Sequence, residues 1–566
     1  MLEVADSDLK TFPLDHHGII AAVCKDLRIA ERIDHLLPVH DARVVSPGER
    51  GLPRRAVVAL ILNGLGFTNR RLYLTPQFFA SKPVERLLDA PISAQDLNDY
   101  ALGHALDDLS AYGVSELFGT VAFGIALDHK LLGGLAHLDS TSISVSGEYK
   151  QASGEDGEPA TIHLTHGHSK DKRPDLKQAV LSLVVNGPSQ MPIWMDALDG
   201  NSSDKKSFHE TIRKVRAFQK QINLEADFKW VADSALYSSG SLLAQNDYLW
   251  LTRVPETIKE AKECVSQEDE AITWQSGEDG YKYAESLSVH GNVPQRWLLV
   301  FSEHAYAREK KSLEKKLSNE EAQLRKDIER LGSHVFGCGK DAEESLSKLA
   351  KEHPLYRFQG QLIPEKKYAR KGKPAAGDEA AIVGYKFDLV LERNEEAVRT
   401  LLNKKGRFIL STTDMDAESY PAARMLAEYK AQHGVERGFR FLKDPWFMVD
   451  SVFLKSPRRI EALMMVMTLC LLVYNVAQYR LRDKLRTTGE TLPNQLDKEV
   501  RNPTLRWIFQ IMEGLGMARI EGSSGVESPA SVRELVTNMT PLSKKIIRLF
   551  GPTACRMHGL NPESAF

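Results

Sequence analysis

Residues 135–149 read LAHLDSTSISVSGEY, and residues 163–185 read HLTHGHSKDKRPDLKQAVLSLVV. Both carry short β-branched runs bounded by turn formers, which predicts strands rather than helices. An Asn186-Gly187 pair then precedes MPIWMDALDG (191–200), the pattern of a tight hairpin. Beyond it, DKKSFHETIRKVRAFQKQI (204–222) repeats apolar residues at helical spacing, and the short run FKWVA (228–232) ends at Asp233. The predicted order is three antiparallel strands, a helix and a further strand, so the fold class is α/β.

Upstream, from about Gly18 to Leu127, the pattern is helical. Pro53 opens AVVALILNG, which Asn63-Gly64 closes, and Ser93 is expected to cap a helix carrying Leu97, Ala101, Ala105 and Leu109. Basic pairs Arg54-Arg55 and Arg70-Arg71 suit phosphate contacts, although scattered surface arginines are the commoner reason for such pairs. Residues 1–128 are therefore expected to form a helical domain, and 129–245 the first part of a core.

Downstream, residues 246–404 change texture, with short strands around Trp250, Trp274 and Trp297 and a charged helix from Ala305 to Leu331. Leu313, Leu317, Leu324, Ile328 and Leu331 give that helix one apolar stripe, which must pack against something. KKYARKGKPAAGDE (366–379) reads as an exposed loop, and the whole segment as an insertion. RFILSTTD (407–414) then reads as a buried strand resuming the core over 405–485. Ser419 and Pro421 start a helix expected to run to Asp444-Pro445, and a very apolar helix spans about Arg459 to Leu481. Residues 486–566 are expected to be a helical C-terminal region.

Composition narrows the class. Among 566 residues, 74 basic against 76 acidic ones exclude a generally basic nucleic-acid coat, so any polyanion site must be local. Five scattered cysteines, none in a CxxC, indicate neither a disulfide framework nor a zinc ribbon and fit a reducing cytoplasm. The N-terminus does not read as a secretory signal, and the apolar run Ala462 to Tyr474 reads as a buried helix rather than a membrane span.

Three acids stand at telling places: Asp139 in a strand, Asp233 at a strand end and Glu436 in the helix after the insertion. Each alone has a plain structural use, Asp233 as a helix cap and Glu436 as an i+4 partner of Arg440. On one continuous helix, however, Tyr429, Gln432, Glu436 and Lys443 fall within an arc of roughly 60 degrees. Their surroundings are basic, with Lys430, Arg437, Arg440, Lys443, Lys455, Arg458 and Arg459 outnumbering Glu436, Asp444 and Asp450. A carboxylate within a basic strip suits a metal beside a phosphodiester.

The stretch YKAQHGVERGFRFLK (429–443) resembles the Tyr-x2-Arg-x3-Glu-x6-Lys signature of bacterial insertion-sequence DDE transposases of the IS-four-like superfamily, with Gln432 where arginine is usual. HLDST (137–141), GHSKDKRPDLKQ (167–178), DGNSSD (199–204) and VADSALYS (231–238) are similar to the same group. The resemblance covers roughly residues 130–480 and extends more weakly to the helical N-terminal domain, 1–128, which it implies binds the DNA ends. It implies an RNase H-like core interrupted by a mainly β insertion, with Asp139, Asp233 and Glu436 as catalytic and metal-binding residues. It further implies two magnesium ions per site, with manganese as a substitute, cleavage at the element's ends and transfer of the 3'-hydroxyls to target DNA. Tyr429, Gln432, Arg440, Lys443, Lys170, Arg173 and Lys177 are the expected DNA contacts. The partner is double-stranded DNA, engaged by a homodimer, in a bacterial cytoplasm at the nucleoid.

Other readings compete. His163, His166 and His168 invite a zinc site, but lack a fourth ligand at a usual spacing. Trp250, Trp274 and Trp297 are candidates to hold an unstacked base, or simply core residues of their strands. A decayed transposase that only binds DNA would keep the fold. A carboxylate-pair hydrolase using Asp139 and Asp233 would have no need of the basic strip around Glu436.

Overall fold

The computed structural model describes residues 9–37, 52–67, 74–147, 149, 161–237, 248–368, 379–444, 454, 456–521 and 532–563. Arg70-Arg71, most of the loop 366–379, Pro445, Asp450 and Lys455 lie outside them. The chain divides into two compact units, Met1–Trp250 with Glu428–Phe566, and Leu251–Ala427.

The centre of the first unit is a mixed sheet of β1 (Leu135–Val145), β2 (Lys177–Asn186), β3 (Met191–Leu198) and β4 (Lys229–Ala232), with helix α1 (Asp204–Gln221) between the last two. The spatial order is β3-β2-β1-β4. β1 to β3 pair antiparallel, with Asp139 opposite Leu183 and Leu183 opposite Met195. β4 lies parallel to β1, with His137 opposite Val231. This is the strand and helix order expected from the sequence. β2 is buried along nearly its whole length, as an unbroken apolar run demands.

The Asn186-Gly187 turn also fixes where β1 begins. The Asn186 side chain accepts from Gly133 N at 2.8 Å and donates to Gly133 O at 3.0 Å and to Leu135 O. Gly187 has φ +71°, and a Cβ there would stand 1.8 Å from the Leu131 carbonyl oxygen.

The helical N-terminal part includes His17–Asp26, Ile29–Leu36, Leu52–Gly64, Asp99–Tyr112 and Val114–Asp128. The helix assigned to Ser93 is divided. Ser93 and Asp96 close a capping box over the single turn Ala94–Leu97, and the longer helix starts afresh where Asn98 accepts from Ala101 N at 2.9 Å. Helices α2 (His433–Leu442) and α3 (Pro457–Thr488) follow; α2 packs against β1 and α3, and α3 against β3. α3 is long and apolar enough to cross a membrane, but 83% of its most apolar window is buried inside the protein, which marks a core helix.

The C-terminal region, expected to be helical, holds the helices Leu505–Ile511, Pro541–Leu549 and Pro552–Met557 and strands as well. Gly516–Glu521 lies between Leu9–Pro13 and Val532–Thr537 in a three-stranded antiparallel sheet. The helix Pro552–Met557 packs on His17–Asp26. Strands form here because Leu9–Pro13 offers an edge that only the folded chain brings near.

In the second unit, Leu251–Arg253 of the strand Trp250–Arg253 pairs antiparallel with Arg407–Thr412, which pairs in turn with Val293–Ser302. Tyr281–His290 and Gln275–Ser276 complete this sheet. Residues 407–412, read as a return to the core, group with the second unit, because a buried apolar run does not say which strands it will pair with. The unit is also less β-rich than expected. The charged helix extends over Glu303–Ser333, and its stripe is used: Leu317 and Leu324 are buried with Tyr356 and Val398 beneath the ribbon Tyr356–Lys367 and Ala381–Arg393.

Gly187→Ala is expected to destabilise the first unit by roughly 3 kcal/mol, because strain and a backbone clash add. Gly489→Ala, at φ +74° with nothing within 4 Å of its added Cβ, should cost only about 1 kcal/mol. Denaturant unfolding of the two variants tests the difference.

Candidate active site

Asp139 lies in the middle of β1, and Asp233 is the first residue beyond β4. The two strands are parallel with His137 opposite Val231. Carried two residues on, that register sets Asp139 opposite Asp233, and in-register residues of a parallel pair point to the same face about 4.8 Å apart. Asp139 Oδ1 accepts from Ser140 N at 2.7 Å, and Asp233 Oδ1 accepts from Ala235 N at 2.9 Å, capping the short turn Ser234–Leu236. The cap reading of Asp233 is therefore correct locally and does not displace its place beside Asp139.

A third acid, Asp204, and a lysine complete the cluster. Asp204 opens α1 and accepts from the Ser140 hydroxyl. Lys170 Nζ donates to Ser140 O at 2.6 Å and Ser140 Oγ at 3.0 Å, and stands 3.2 Å from Asp204 Oδ2 and 3.8 Å from Asp139 Oδ1. Burial pushes the Asp139 carboxyl up to about 7, with Asp233 and Asp204 adding to the rise and Lys170 and the Ser140 amide opposing it. Burial also raises Asp233; Asp204 adds to this, and the Ala235 amide and Lys170 oppose it.

Several stretches quoted above are one physical knot. A Cβ on Gly167 would stand 2.0 Å from Gly200 O, and one on Gly200 would stand 2.0 Å from Gln178 O. Gln178 Nε2 donates to Gly200 O at 2.7 Å, and Asp199 Oδ1 accepts from His163 N at 2.7 Å. These contacts hold 167–178 against 199–204 and so place Lys170 and Asp204 beside β1. Asp171 then accepts from Lys443 Nζ at 2.6 Å, tying the end of α2 to the same knot.

The helix carrying Glu436 is not continuous. Ala422–Lys430 ends, Ala431 and Gln432 form a turn, and α2 restarts at His433. Tyr429, Gln432, Glu436 and Lys443 consequently do not share one helical face, and the arc drawn for a single helix does not apply. The reason is packing: Gly434 lies against the Gln190 side chain, Gly438 against Leu471, and neither would accept a Cβ without displacement. Gln432 is buried at the break, and Tyr429 is half-buried. Glu436 and Arg440 are exposed, and Glu436 Oε2 pairs with His433 Nδ1 at 3.3 Å rather than with Arg440.

The cluster thus unites Asp139, Asp233, Asp204 and Lys170, while Glu436 has its partner on its own helix. Carboxylate oxygens are suitable donors for a hard divalent ion, and an ammonium already stands among them. Among the described residues, no three His, Cys, Asp or Glu side chains are spaced to grip one, which applies equally to the histidines of 163–168. Of the other basic candidates, Arg173 is engaged by Asp175 through Nε and Nη2, and Lys177 Nζ donates to Tyr149 O at 3.1 Å. Trp250 and Trp297 are buried, and Trp274 is half-buried with its Nε1 donating to Asp269. Sequence reasoning missed Asp204 and Ser140. The available signal was an acid heading a helix inside the DGNSSD stretch.

Residues 134–473 match the family described as "Transposase DDE domain", and residues 9–123 match "Domain of unknown function (DUF4277)". No curated protein matches. Among solved structures, the piggyBac transposase synaptic complex with hairpin DNA aligns at 10% identity and TM-score 0.34, covering 89% of this chain and 82% of that one. The Mos1 transposase paired-end complex aligns at 13% identity and TM-score 0.14, covering 38% and 62%. These scores are too low to carry a structural argument. The domain match spans more than half of the sequence, and the chain belongs to the DDE transposase family.

Proposed function

We propose that this transposase cleaves the ends of its own insertion sequence and joins them to target DNA, with Asp139, Asp233 and Glu436 as the carboxylates that hold two divalent cations. The observation that carries the proposal is the parallel pairing of β1 and β4, in which His137 lies opposite Val231 and two of the three acids each follow two residues on. The order β3-β2-β1-β4, with β4 alone parallel and a helix leading into it, supports an RNase H-like core. Magnesium pairs, when bound in such a site, supply an activated water or 3'-hydroxyl and neutralise charge at phosphorus.

The chain's own residues have distinct tasks in this reading. Asp139 and Asp233 contribute oxygens from a rigid sheet, and Glu436 contributes one from the first turn of α2. Lys443, which is held by Asp171 at the other end of α2, and Lys170 would meet phosphates, with Tyr429, Gln432, Arg440, Arg173 and Lys177 as further DNA contacts. Two copies acting on paired ends would form the working assembly. Retention of all three acids gives no support to a decayed, binding-only protein.

Asp139→Ala, Asp233→Ala and Glu436→Ala should each lower magnesium-dependent end cleavage by roughly 100-fold or more while leaving end binding nearly intact. Nick mapping on the protein's flanking DNA with magnesium or calcium provides the test. Robust cleavage by any one variant would remove that residue from the set.

The site also predicts a pH dependence. A carboxyl raised by burial favours the folded state below its unfolded value, and that contribution is lost as pH rises through about 7, the folded value for Asp139. Asp139→Asn should therefore raise the metal-free melting temperature by roughly 2 °C or more at about pH 8 and change little near pH 4. Equal melting curves at the higher pH would refute this cost.

A further inference from the structure

We propose that Arg437 of α2 and Arg482 of α3 jointly grip one backbone phosphate of duplex DNA. The inference rests on the reading of this chain as a transposase acting on DNA ends and deepens it, by adding α3 to the DNA-facing surface.

Two guanidinium groups come together here without an acid to match them. Arg437 is exposed on α2, one residue beyond Glu436, and its Nε donates to His433 O at 3.2 Å. Arg482 is half-buried on α3, the helix against which α2 packs, and its Nε donates to Pro503 O at 2.9 Å. Among the described residues neither arginine has an acidic partner, so the Nη groups of both forks stay available. The acids of the two helices are engaged elsewhere: Glu436 with His433, Glu461 with the Ile162 amide and Asp483 with Arg486. Burial depresses the Arg482 guanidinium; Tyr474 opposes this, and the nearby Arg437 charge adds to it. Like charges held together and partly out of water are unfavourable until an anion joins them. The oxygens of a phosphodiester match the planar fork of arginine.

The surroundings favour a polymer over a free ion. Tyr474 belongs to an aromatic cluster, 4.7 Å from Phe441 between ring centres, with Phe441 meeting Phe67 edge-on at 5.9 Å. Its hydroxyl accepts from Arg506 N at 3.2 Å, and Arg506 lies 5.2 Å over the Phe67 ring with its charge taken by Asp444. Such packing fixes the backbone on which Arg482 stands, which lowers the ordering cost of binding. Along α2, Arg437, Arg440 and Lys443 are spread over about 9 Å of helix at 1.5 Å per residue. A row of cations of that length follows a strand of phosphates rather than enclosing one small anion.

The test is binding of the full-length protein, in EDTA, to a duplex carrying the element end and to a scrambled duplex of equal length, over a salt series. Arg437→Gln and Arg482→Gln should each weaken binding to both duplexes roughly fivefold or more at low salt and lower the slope of log affinity against log salt by about one. The double variant should lower the slope no further, because one phosphate is shared. Arg482→Lys, which keeps the charge, should retain the wild-type slope. A purely structural role is separated by the melting temperature of the DNA-free protein: exposed Arg437→Gln relieves repulsion and should melt no earlier than wild type. Unchanged slopes, a fall of about two in the double variant, a loss confined to the end duplex, or early melting of Arg437→Gln overturns the proposal. Wild-type protein that binds neither duplex would instead remove the DNA reading beneath it.

Discussion

The proximity of two half-buried carboxylates, Asp139 and Asp233, is the constraint around which the first unit is organised. Parallel pairing of β1 and β4 puts Asp139 and Asp233 on one face, and taking like charges out of water is unfavourable unless something of opposite sign is near. Lys170, the Ser140 amide and the Ala235 amide supply that compensation in part, and the Asp139 carboxyl remains pushed up to about 7.

Glycines carry much of the positioning. Gly167 and Gly200 let three backbone segments approach where any side chain would collide with a carbonyl oxygen, and Gly434 and Gly438 let α2 lie close to Gln190 and Leu471. In both places the absence of a Cβ brings a charged residue to its post: Lys170 in the first, the Lys443 end of α2 in the second. Motif residues without charge therefore determine where charged ones are held.

The core was legible because its information is local. Strand alternation, the Asn186-Gly187 turn and the spacing in 204–222 each stand within a short window, and Asp233 after FKWVA marks a strand end without reference to anything distant. The break at Ala431 and Gln432 was not legible, because apolar positions Met425, Leu426, Val435, Phe439 and Leu442 continue a helical pattern across it. What breaks the helix is contact with Gln190 and Leu471, far along the chain. Likewise the run RFILSTT announces a strand but not its partners, and Gly516–Glu521 becomes a strand only beside Leu9–Pro13.

That last pairing has a consequence for how the protein is made. Gly514 N donates to Asp15 across a separation of 499 residues, beside the strands that join the two ends of the first unit. A contact so remote in sequence forms late and slowly. On the ribosome, the strand Leu9–Pro13 waits without its neighbour until Gly516–Glu521 has been made, and a product terminated before Gly516 leaves that edge bare to pair with other chains.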